Sequence, residues 1–509
     1  MKVIIPMSGK GKRFVEKGYT EPKPLIEVDG VPIIKHIIDL FSGEKNIHCI
    51  CNREHLDTTN MRNILESFGA TVHCIESHSL GPVYAVAQIF DTISDGEEVL
   101  VSYCDYGTVW NYSEFRKSCV NYDGIIAAYT GFHPHMLFGD SYAFLRNCGS
   151  DVYEVREKES FTDNKMDEYA SNGTYYFKRG FDLKKYFKKL MDDGDVKNGE
   201  YYVSLVYNNM IRDGLKIGLF EIQKMLQWGT PRDLEIYNMW AAHFKHKAKP
   251  CSSIATLVLP MAGRGSRFSM VGYKDPKPLL PVSGKPMVVR AVEDLPQCQD
   301  KIFITLNEHL REYDLESKLR VEFADLRIIG IDEITLGQAS TCDIVIQGLD
   351  PSTPIIISAC DNGVDYDEGA YKALEMDLSI DVIVWSFDNN PTKDLYPNMY
   401  AWLDVDSDNN IRNVSVKKHF LGAKQAIIGT MFFRKAELFT MGYAHILKNN
   451  IRTNGEFYVD DLLNVLIEKG YNVKSFPVKN YICWGTPNDY KTYLYWEDHY
   501  SKLDAQYDV

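Results

Sequence analysis

The feature that most constrains this chain is an internal repeat. Val3-Ile4-Ile5-Pro6-Met7-Ser8-Gly9-Lys10-Gly11-Lys12-Arg13-Phe14, followed by Glu21-Pro22-Lys23-Pro24-Leu25, returns as Leu257-Val258-Leu259-Pro260-Met261-Ala262-Gly263-Arg264-Gly265-Ser266-Arg267-Phe268 and Asp275-Pro276-Lys277-Pro278-Leu279. The arginine and lysine stand ten positions apart in both copies, while the residues between them differ. Each copy reads as a short buried strand running into a glycine loop. Apolar runs such as Val3 to Pro6 and Thr256 to Pro260 suit a buried parallel strand, and Gly-x-Gly lets the following turn approach a ligand. Backbone N–H groups of such a loop form an anion-binding concavity, and a guanidinium grips phosphate oxygens in a bidentate way. A lone Gly-x-Gly is often an ordinary tight turn. Two copies with Arg and Pro-Lys-Pro in register predict a phosphate site built twice.

Further segments repeat at one offset. Gly81, Asp105, Gly173-Thr174, Asn198-Gly199-Glu200 and Trp228-Gly229-Thr230-Pro231 recur 256 residues later as Gly337, Asp361, Gly429-Thr430, Asn454-Gly455-Glu456 and Trp484-Gly485-Thr486-Pro487. Two duplicated domains, 1–245 and 253–509, follow, with a polar junction near His243 to Ser253. Within each, apolar strands alternate with helical patterns. Ile33, Ile34, Ile37, Ile38 and Phe41 share one helical face after Pro32, as do Met287, Val288, Ala291, Val292 and Leu295 after Pro286, while Glu98 to Ser102 and Pro354 to Ser358 read as buried central strands. This alternation predicts an α/β fold with two tandem Rossmann-like domains, each a mostly parallel sheet covered by helices on both faces. Ligands of such sheets sit at the carboxyl ends of the strands.

Bulk properties narrow the partners. Of 509 residues, 56 are basic and 70 acidic, a net charge of −14 that suits neither a nucleic-acid backbone nor an anionic membrane surface. Basic residues in the loops therefore stand out as ligand contacts. The chain opens directly on its first strand and holds no run of 18 apolar residues, which predicts a cytoplasmic protein without membrane insertion. Eleven cysteines without metal-type spacing read as reduced core thiols, with Cys49 and Cys51 on one side of a strand.

Asp105 and Asp361 each follow a buried strand, where a carboxylate can hold Mg²⁺ against substrate phosphates. The alternative for each is a loop-capping aspartate. Leu80-Gly81-Pro82 and Leu336-Gly337-Gln338 are loop-to-helix junctions able to meet a nucleobase edge. Thr230-Pro231-Arg232-Asp233 and Thr486-Pro487-Asn488-Asp489 read as helix starts, with Asp233 and Asp489 structural.

The pattern Ala-Gly-x-Gly-x-Arg with Pro-Lys ten residues after the arginine resembles the signature of nucleotidyltransferases that activate sugar 1-phosphates, and more broadly of cytidylyltransferases acting on small phosphorylated alcohols. The second copy matches as Ala262-Gly263-Arg264-Gly265-Ser266-Arg267; the first has Ser8 for alanine. The resemblance covers nearly all of both halves and is sharp at the motifs. It implies that Gly9, Gly11, Arg13, Gly263, Gly265 and Arg267 cradle a triphosphate, that Lys23 and Lys277 contact phosphate at the reacting centre, and that Gly81 and Gly337 meet the base. Asp105 and Asp361 fall where the family binds Mg²⁺. Glu157, Lys158, Asn172, Gly173 and Glu200 match acceptor-side positions, and Lys417, Gly429 and Glu456 are their counterparts, with Val416 and Ile428 replacing Glu157 and Asn172. Asp460-Asp461 occur only in the second copy, against Ser204-Leu205. Gln227 and Cys483 stand where many relatives carry a second metal-binding aspartate.

The expected activity is Mg²⁺-dependent nucleotidyl transfer from a nucleoside triphosphate to a sugar 1-phosphate or phosphoalcohol for surface polysaccharide precursors. A sensing or scaffolding protein with a degenerate half is a second reading. A glycosyltransferase is a third, although Cys104-Asp105-Tyr106 and Cys360-Asp361-Asn362 lack an Asp-x-Asp, and Asp404-Val405-Asp406 reads as a hairpin turn. The sequence is compatible with a homo-oligomer.

Overall fold

The computed structural model describes residues 1–245, 250–390 and 392–507; residues 246–249 of the expected junction lie outside them. The chain divides into two compact units, Met1–Asn238 and Met239–Val509, and the division falls inside the helix Pro231–Lys245.

Each unit is built on one large sheet. In the first, the strands Thr71–Ile75, Asn46–Asn52, Lys2–Met7 and Val99–Ser102 lie side by side and parallel. Tyr169–Phe177 then enters antiparallel between Val99–Ser102 and Gly124–Tyr129, and Ile217–Glu221 runs parallel to Gly124–Tyr129. The hairpin Ala143–Cys148/Asp151–Glu157 completes the edge. The second unit repeats the order with Leu326–Ile331, Lys301–Leu306, Thr256–Pro260, Ile355–Ile357, Gln425–Phe433, Val382–Phe387 and Val473–Pro477, while Ala401–Val405 pairs with Ile411–Val416 and Gln425–Phe433.

The expectation of a mostly parallel sheet is therefore corrected to a mixed one, parallel on one side and largely antiparallel on the other. Strands buried on both faces read as unbroken apolar runs in either direction, so their composition carries no sign of orientation. Gly124–Tyr129, buried at every position, illustrates this.

Helices do cover both faces. In the second unit Leu257 and Leu259 join one core with Val288, Val289 and Val292 of the helix Met287–Glu293 and Leu315 and Leu319 of Leu315–Glu322. Val258 points the other way, into a core with Ala339, Phe439, Leu462 and Leu466. Alternation along one strand thus feeds two separate cores. The matching helices of the first unit, Pro82–Ala87, Gly180–Asp192 and Val203–Arg212, pack Val83, Leu183, Phe187, Val206 and Met210 on Ile4, Val99, Val101 and Ile126.

The Trp-Gly-Thr-Pro repeats close a two-stranded ribbon over the strand ends. Tyr106–Val109 pairs antiparallel with Lys224–Gln227, and Asn362–Asp365 with Asn480–Cys483. Trp228 and Trp484 are buried against Gly107 and Gly363, where added Cβ atoms would lie 2.6 and 3.1 Å from the indole rings. Thr230 and Asp233 form a reciprocal helix start: Thr230 Oγ1 donates to Asp233 Oδ2 (2.7 Å), and Asp233 N donates back to Thr230 Oγ1 (3.2 Å). Thr486 and Asp489 do the same at 2.7 and 3.2 Å. Asp404-Val405-Asp406 leads into a hairpin turn, where Asp406 accepts from the backbone of Asp408 and Asn410 at 2.9 Å.

Candidate active site

The glycine loop leaves the strand Lys2–Met7 at the carboxyl edge of the sheet. Gly11 and Gly265 take left-handed φ values of 61° and 60° and open the short helical turns Lys12–Glu16 and Ser266–Ser269, which carry Arg13 and Arg267. Only residues free of a Cβ adopt that conformation readily. The lysine segment packs against both glycines, at ordinary contact distance for Gly11 and tightly for Gly265. A Cβ on Gly11 would lie 3.7 Å from Lys23 Cβ, and one on Gly265 would lie 3.1 Å from Lys277 Cβ. Gly9 and Gly263 meet nothing within 4 Å and face open space. The loop is tied behind by Asn52 Nδ2, which donates to Ser8 O (3.0 Å), and by the Ser8 Oγ to His78 Nε2 hydrogen bond (3.1 Å).

Lys23 sits in the turn Lys23–Leu25 between two prolines, its ammonium at the centre of the site. It donates to Asp105 Oδ2 (2.6 Å) and to the Gly229 carbonyl (3.0 Å). Lys277 makes the same pair of bonds, to Asp361 and to the Gly485 carbonyl (3.1 Å). Asp105 and Asp361 are fixed in turn, because Trp228 N donates to Asp105 O (3.1 Å) and Trp484 N to Asp361 O (2.9 Å). Burial would raise the Asp361 carboxyl, but Lys277, with Arg267 behind it, outweighs this and holds it below the usual carboxylate range.

Gln227 and Cys483 flank these carboxylates. A Cβ on Gly229 would lie 2.7 Å from Gln227 Nε2 and 3.4 Å from Asp105 Oδ2; one on Gly485 would lie 3.3 Å from Cys483 Sγ and 3.4 Å from Asp361 Oδ2. The Cys483 thiol is buried, held well above its ordinary pKa by that burial, and donates to Asp489 Oδ2 (3.4 Å).

Two cavities meet at this centre in the first unit. One, of about 710 Å³, is lined by the Ser8–Arg13 loop, Lys23, His78, Gly81 and Glu200. The other, of about 410 Å³, is lined by Glu157, Lys158, Asn172, Gly173, Tyr142 and Arg232. Arg13, Tyr103, Asp105, Tyr202 and Gly229 line both. Two reactants can thus meet across Arg13 and Asp105.

Gly81 and Gly337 have a structural reason of their own. Their φ values are 86° and 137°, and an added Cβ would come within 2.9 Å of Tyr201 N and O, or 2.5 and 2.6 Å of Phe457 N and O. The helix entry docks there on the backbone beside Glu200 or Glu456, with Tyr201 N donating to Leu80 O and Phe457 N to Leu336 O, each at 2.9 Å. Gly81→Ala and Gly337→Ala are each expected to cost roughly 2–4 kcal/mol. Urea unfolding of the parent and the two variants measures this.

On the acceptor side, Lys158 follows the strand Asp151–Glu157 with φ 55° and donates to the Tyr202 hydroxyl, which donates to Glu200. Asn172 and Gly173 form a bulge between Ser171 and Thr174. Asn172 Nδ2 donates to Thr108 Oγ1 (3.0 Å), and Tyr103 N donates to Gly173 O (3.0 Å). Glu157 accepts from Ser204 Oγ (2.6 Å), and burial pushes its carboxyl up to about 7. The folded value lies above the ordinary 4.5, so folding takes up a proton. The resulting stability is full below about pH 4.5 and is lost as pH rises through 7. Glu157→Gln lacks this loss. Its urea midpoint for the first unit, compared with the parent's, should shift upward between pH 4 and pH 8 by the equivalent of roughly 3 kcal/mol.

In the second unit Lys417 repeats the left-handed φ of 55°, and Gly429 lies in the strand Gln425–Phe433 beside Ala359. Glu456 is exposed and bridges to Thr453, as Glu200 does to Lys197. Ile428 is buried. His78, Tyr103, Tyr142, Tyr202 and Arg232 join the site although no sequence motif marks them as site residues. Tyr103 stands two residues before Asp105, and Arg232 inside the Thr-Pro helix start, so proximity to the motifs was the available signal.

The profile of MobA-like NTP transferase domains matches residues 3–157 and 257–367. Among curated proteins, the bifunctional protein GlmU of Alkaliphilus metalliredigens is 25% identical over 225 residues, covering 44% of this chain and 47% of GlmU, so the chain matches about half the length of that relative. Among solved structures, a nucleoside-diphosphate-sugar pyrophosphorylase from Vibrio cholerae aligns at 21% identity and TM-score 0.39 over 46% of this chain and 98% of its own. An inositol-1-phosphate CTP transferase from T. maritima aligns at 14% identity and TM-score 0.39 over 48% and 96%.

Proposed function

Because the chain belongs to the family of MobA-like NTP transferase domains, we propose that it transfers a nucleotidyl group from a nucleoside triphosphate to a phosphorylated small acceptor, a sugar 1-phosphate or phosphoalcohol, and releases pyrophosphate. The observation that carries this reading is the pair of cavities joined at Arg13, Tyr103, Asp105, Tyr202 and Gly229. The larger takes the triphosphate on the glycine loop, and the smaller takes the acceptor.

The acceptor phosphate is already anionic and needs no protein nucleophile. One of its oxygens attacks the α-phosphorus in line. The bond from that phosphorus to the oxygen bridging to the β-phosphate breaks, and the electron pair leaves with pyrophosphate. The protein holds the two anions together and neutralises the charge that spreads over the phosphoryl oxygens. Arg13 does so from the loop and Lys23 from the opposite side, its ammonium held in place beforehand by Asp105 and the Gly229 carbonyl.

The donor set fits a Mg²⁺ ion carried on the triphosphate. Mg²⁺ takes one or two carboxylates plus substrate phosphates, and Asp105 and Asp361 each present one such oxygen ligand at a strand end. The ion would supply further charge neutralisation on the phosphates. Gln227 adds a neutral amide beside Asp105, whereas Cys483 offers a buried thiol already bonded to Asp489. That difference favours, as a second reading for the second unit alone, nucleotide and acceptor binding with little or no turnover. The product class is the activated precursor that surface polysaccharide assembly consumes. The deciding experiment measures pyrophosphate release from each common nucleoside triphosphate against a panel of sugar 1-phosphates and phosphoalcohols. No release with any pair would overturn the proposal in favour of a binding or sensing role.

A further inference from the structure

The acceptor side of the second unit differs from the first at two facing positions at once. Glu157 is replaced by Val416, and Ser204 by Asp460. The register of both replacements is fixed by the same clamp in each unit. Asn208 accepts from Val155 N (2.9 Å) and donates to Val155 O (2.8 Å), tying the helix Val203–Arg212 to the strand Asp151–Glu157. Asn464 accepts from Val414 N and donates to Val414 O, both at 2.8 Å, tying Val459–Glu468 to Ile411–Val416. Glu157 and Val416 lie two residues beyond the clamped valines, and Ser204 and Asp460 lie four residues before the clamping asparagines. Lys158 and Lys417, next along the chain, share a φ of 55°.

In the first unit the two side chains meet, Ser204 Oγ donating to Glu157 Oε2 at 2.6 Å. A carboxylate on the strand facing a hydroxyl on the helix has become an alkyl group on the strand facing a carboxylate on the helix. We propose that Asp460 supplies the acceptor-binding carboxylate of the second unit, replacing from the helix the one that Glu157 supplies from the strand, and that it accepts hydrogen bonds from hydroxyl groups of a phosphorylated polyol or sugar.

Asp460 is the foremost charge acting on the Lys417 ammonium, followed by Arg267, Asp361 and Glu456. The carboxylate and lysine therefore belong to the same centre as the phosphate-site residues. Its neighbour Asp461 is engaged instead by Thr453 Oγ1, at 3.3 and 3.4 Å. Aspartate is one methylene shorter than glutamate and comes from the helix rather than the adjoining strand. The two units thus recognise hydroxyls at different places on the acceptor, and Val416 excludes the arrangement that the first unit reads.

The inference rests on the proposed transfer reaction for the identity of its ligand. It is tested in the full chain carrying Asp105→Asn and Glu157→Ala, so that turnover and hydroxyl-dependent binding report the second unit. The probes are glucose 1-phosphate and ethyl phosphate, which lacks free hydroxyls. Adding Asp460→Asn should raise the KM for glucose 1-phosphate about tenfold or more, the loss expected when a hydrogen bond to a charged group is weakened. The KM values for the nucleotide and for ethyl phosphate should stay unchanged. Val416→Glu together with Asp460→Ser should restore part of the affinity, which a merely structural role for Asp460 would not allow. An unchanged KM for glucose 1-phosphate, or equal losses for both phosphates, would overturn the inference. If the background chain shows no turnover, transfer by the second unit fails, and calorimetric binding of glucose 1-phosphate decides: weakening by about tenfold in Asp460→Asn supports the inference, and no binding to the background chain overturns it.

Discussion

Lys23→Ala is expected to lower pyrophosphate release by the first unit by about 10²–10³-fold, and Lys277→Ala to do the same in the second. The magnitude follows from removing one preorganised charge from a centre where negative charge develops on transferring phosphoryl oxygens. Each lysine is well placed for this, because its stem is largely buried, with 15% and 13% of the side chain exposed, and its ammonium is already oriented by a carboxylate and a carbonyl. Orientation achieved before substrate arrives costs nothing during reaction. Nucleotide binding should weaken far less, since the loop amides and Arg13 or Arg267 remain. Single-turnover release and nucleotide Kd, measured on each variant with the other unit silenced by its own lysine substitution, separate the two effects. Unchanged turnover in both variants would defeat the phosphate-site reading, and an equal loss in binding would move the role of the lysine from the transition state to the ground state.

Much of this arrangement was legible in the chain because it depends on local chemistry. Gly11 and Gly265 announce a left-handed turn, Pro22 and Pro276 fix the lysine backbone, and the apolar runs before Asp105 and Asp361 place those carboxylates at strand ends. The loop and lysine return 254 residues later and the aspartate 256 residues later, so the three recur as one set in the same order. Strand direction was not legible. Tyr169–Phe177 carries Ser171, Asn172 and Thr174 yet is buried at every position after the first, as a central strand of either direction would be, and only its pairing with Val99–Ser102 and Gly124–Tyr129 shows it running antiparallel. The lysine–aspartate hydrogen bond joins residues 82 and 84 apart in the two units and is a product of tertiary structure alone. The clamps made by Asn208 and Asn464 were equally silent, since an asparagine in a helix carries no mark of the edge strand it holds. Without them Asp460 reads as an unremarkable helix-start carboxylate, favoured near a helix N-terminus on general grounds. Arg232 and Tyr142 escaped notice because they enter the smaller cavity from a segment read as a helix start and from a hairpin edge.

Asp105→Asn and Asp361→Asn test the metal assignment, and each should depress turnover of its own unit by about 10²-fold or more. The substitution keeps the side chain's shape and the bond from Trp228 N or Trp484 N to the backbone carbonyl of the same residue, so the fold should survive. What it removes is one full negative charge at the centre of the site, while Asp233, which lines the same cavity in the first unit, is engaged by Thr230. Gln227 and Cys483 flank the site, and among the described residues no cluster of three His, Cys, Asp or Glu side chains could hold an ion alone. A divalent ion would therefore depend on the aspartate and the triphosphate jointly. Chelator should abolish turnover in the parent, and the Asn variants should need more Mg²⁺ to reach half of their reduced maximum. The aspartate also anchors Lys23 or Lys277, so some of the loss belongs to a misplaced ammonium. The Mg²⁺ titration separates the contributions: a shifted midpoint reports the ion, while a lower plateau at an unchanged midpoint reports the lysine. Full activity of the double variant in excess chelator would remove the metal from the mechanism.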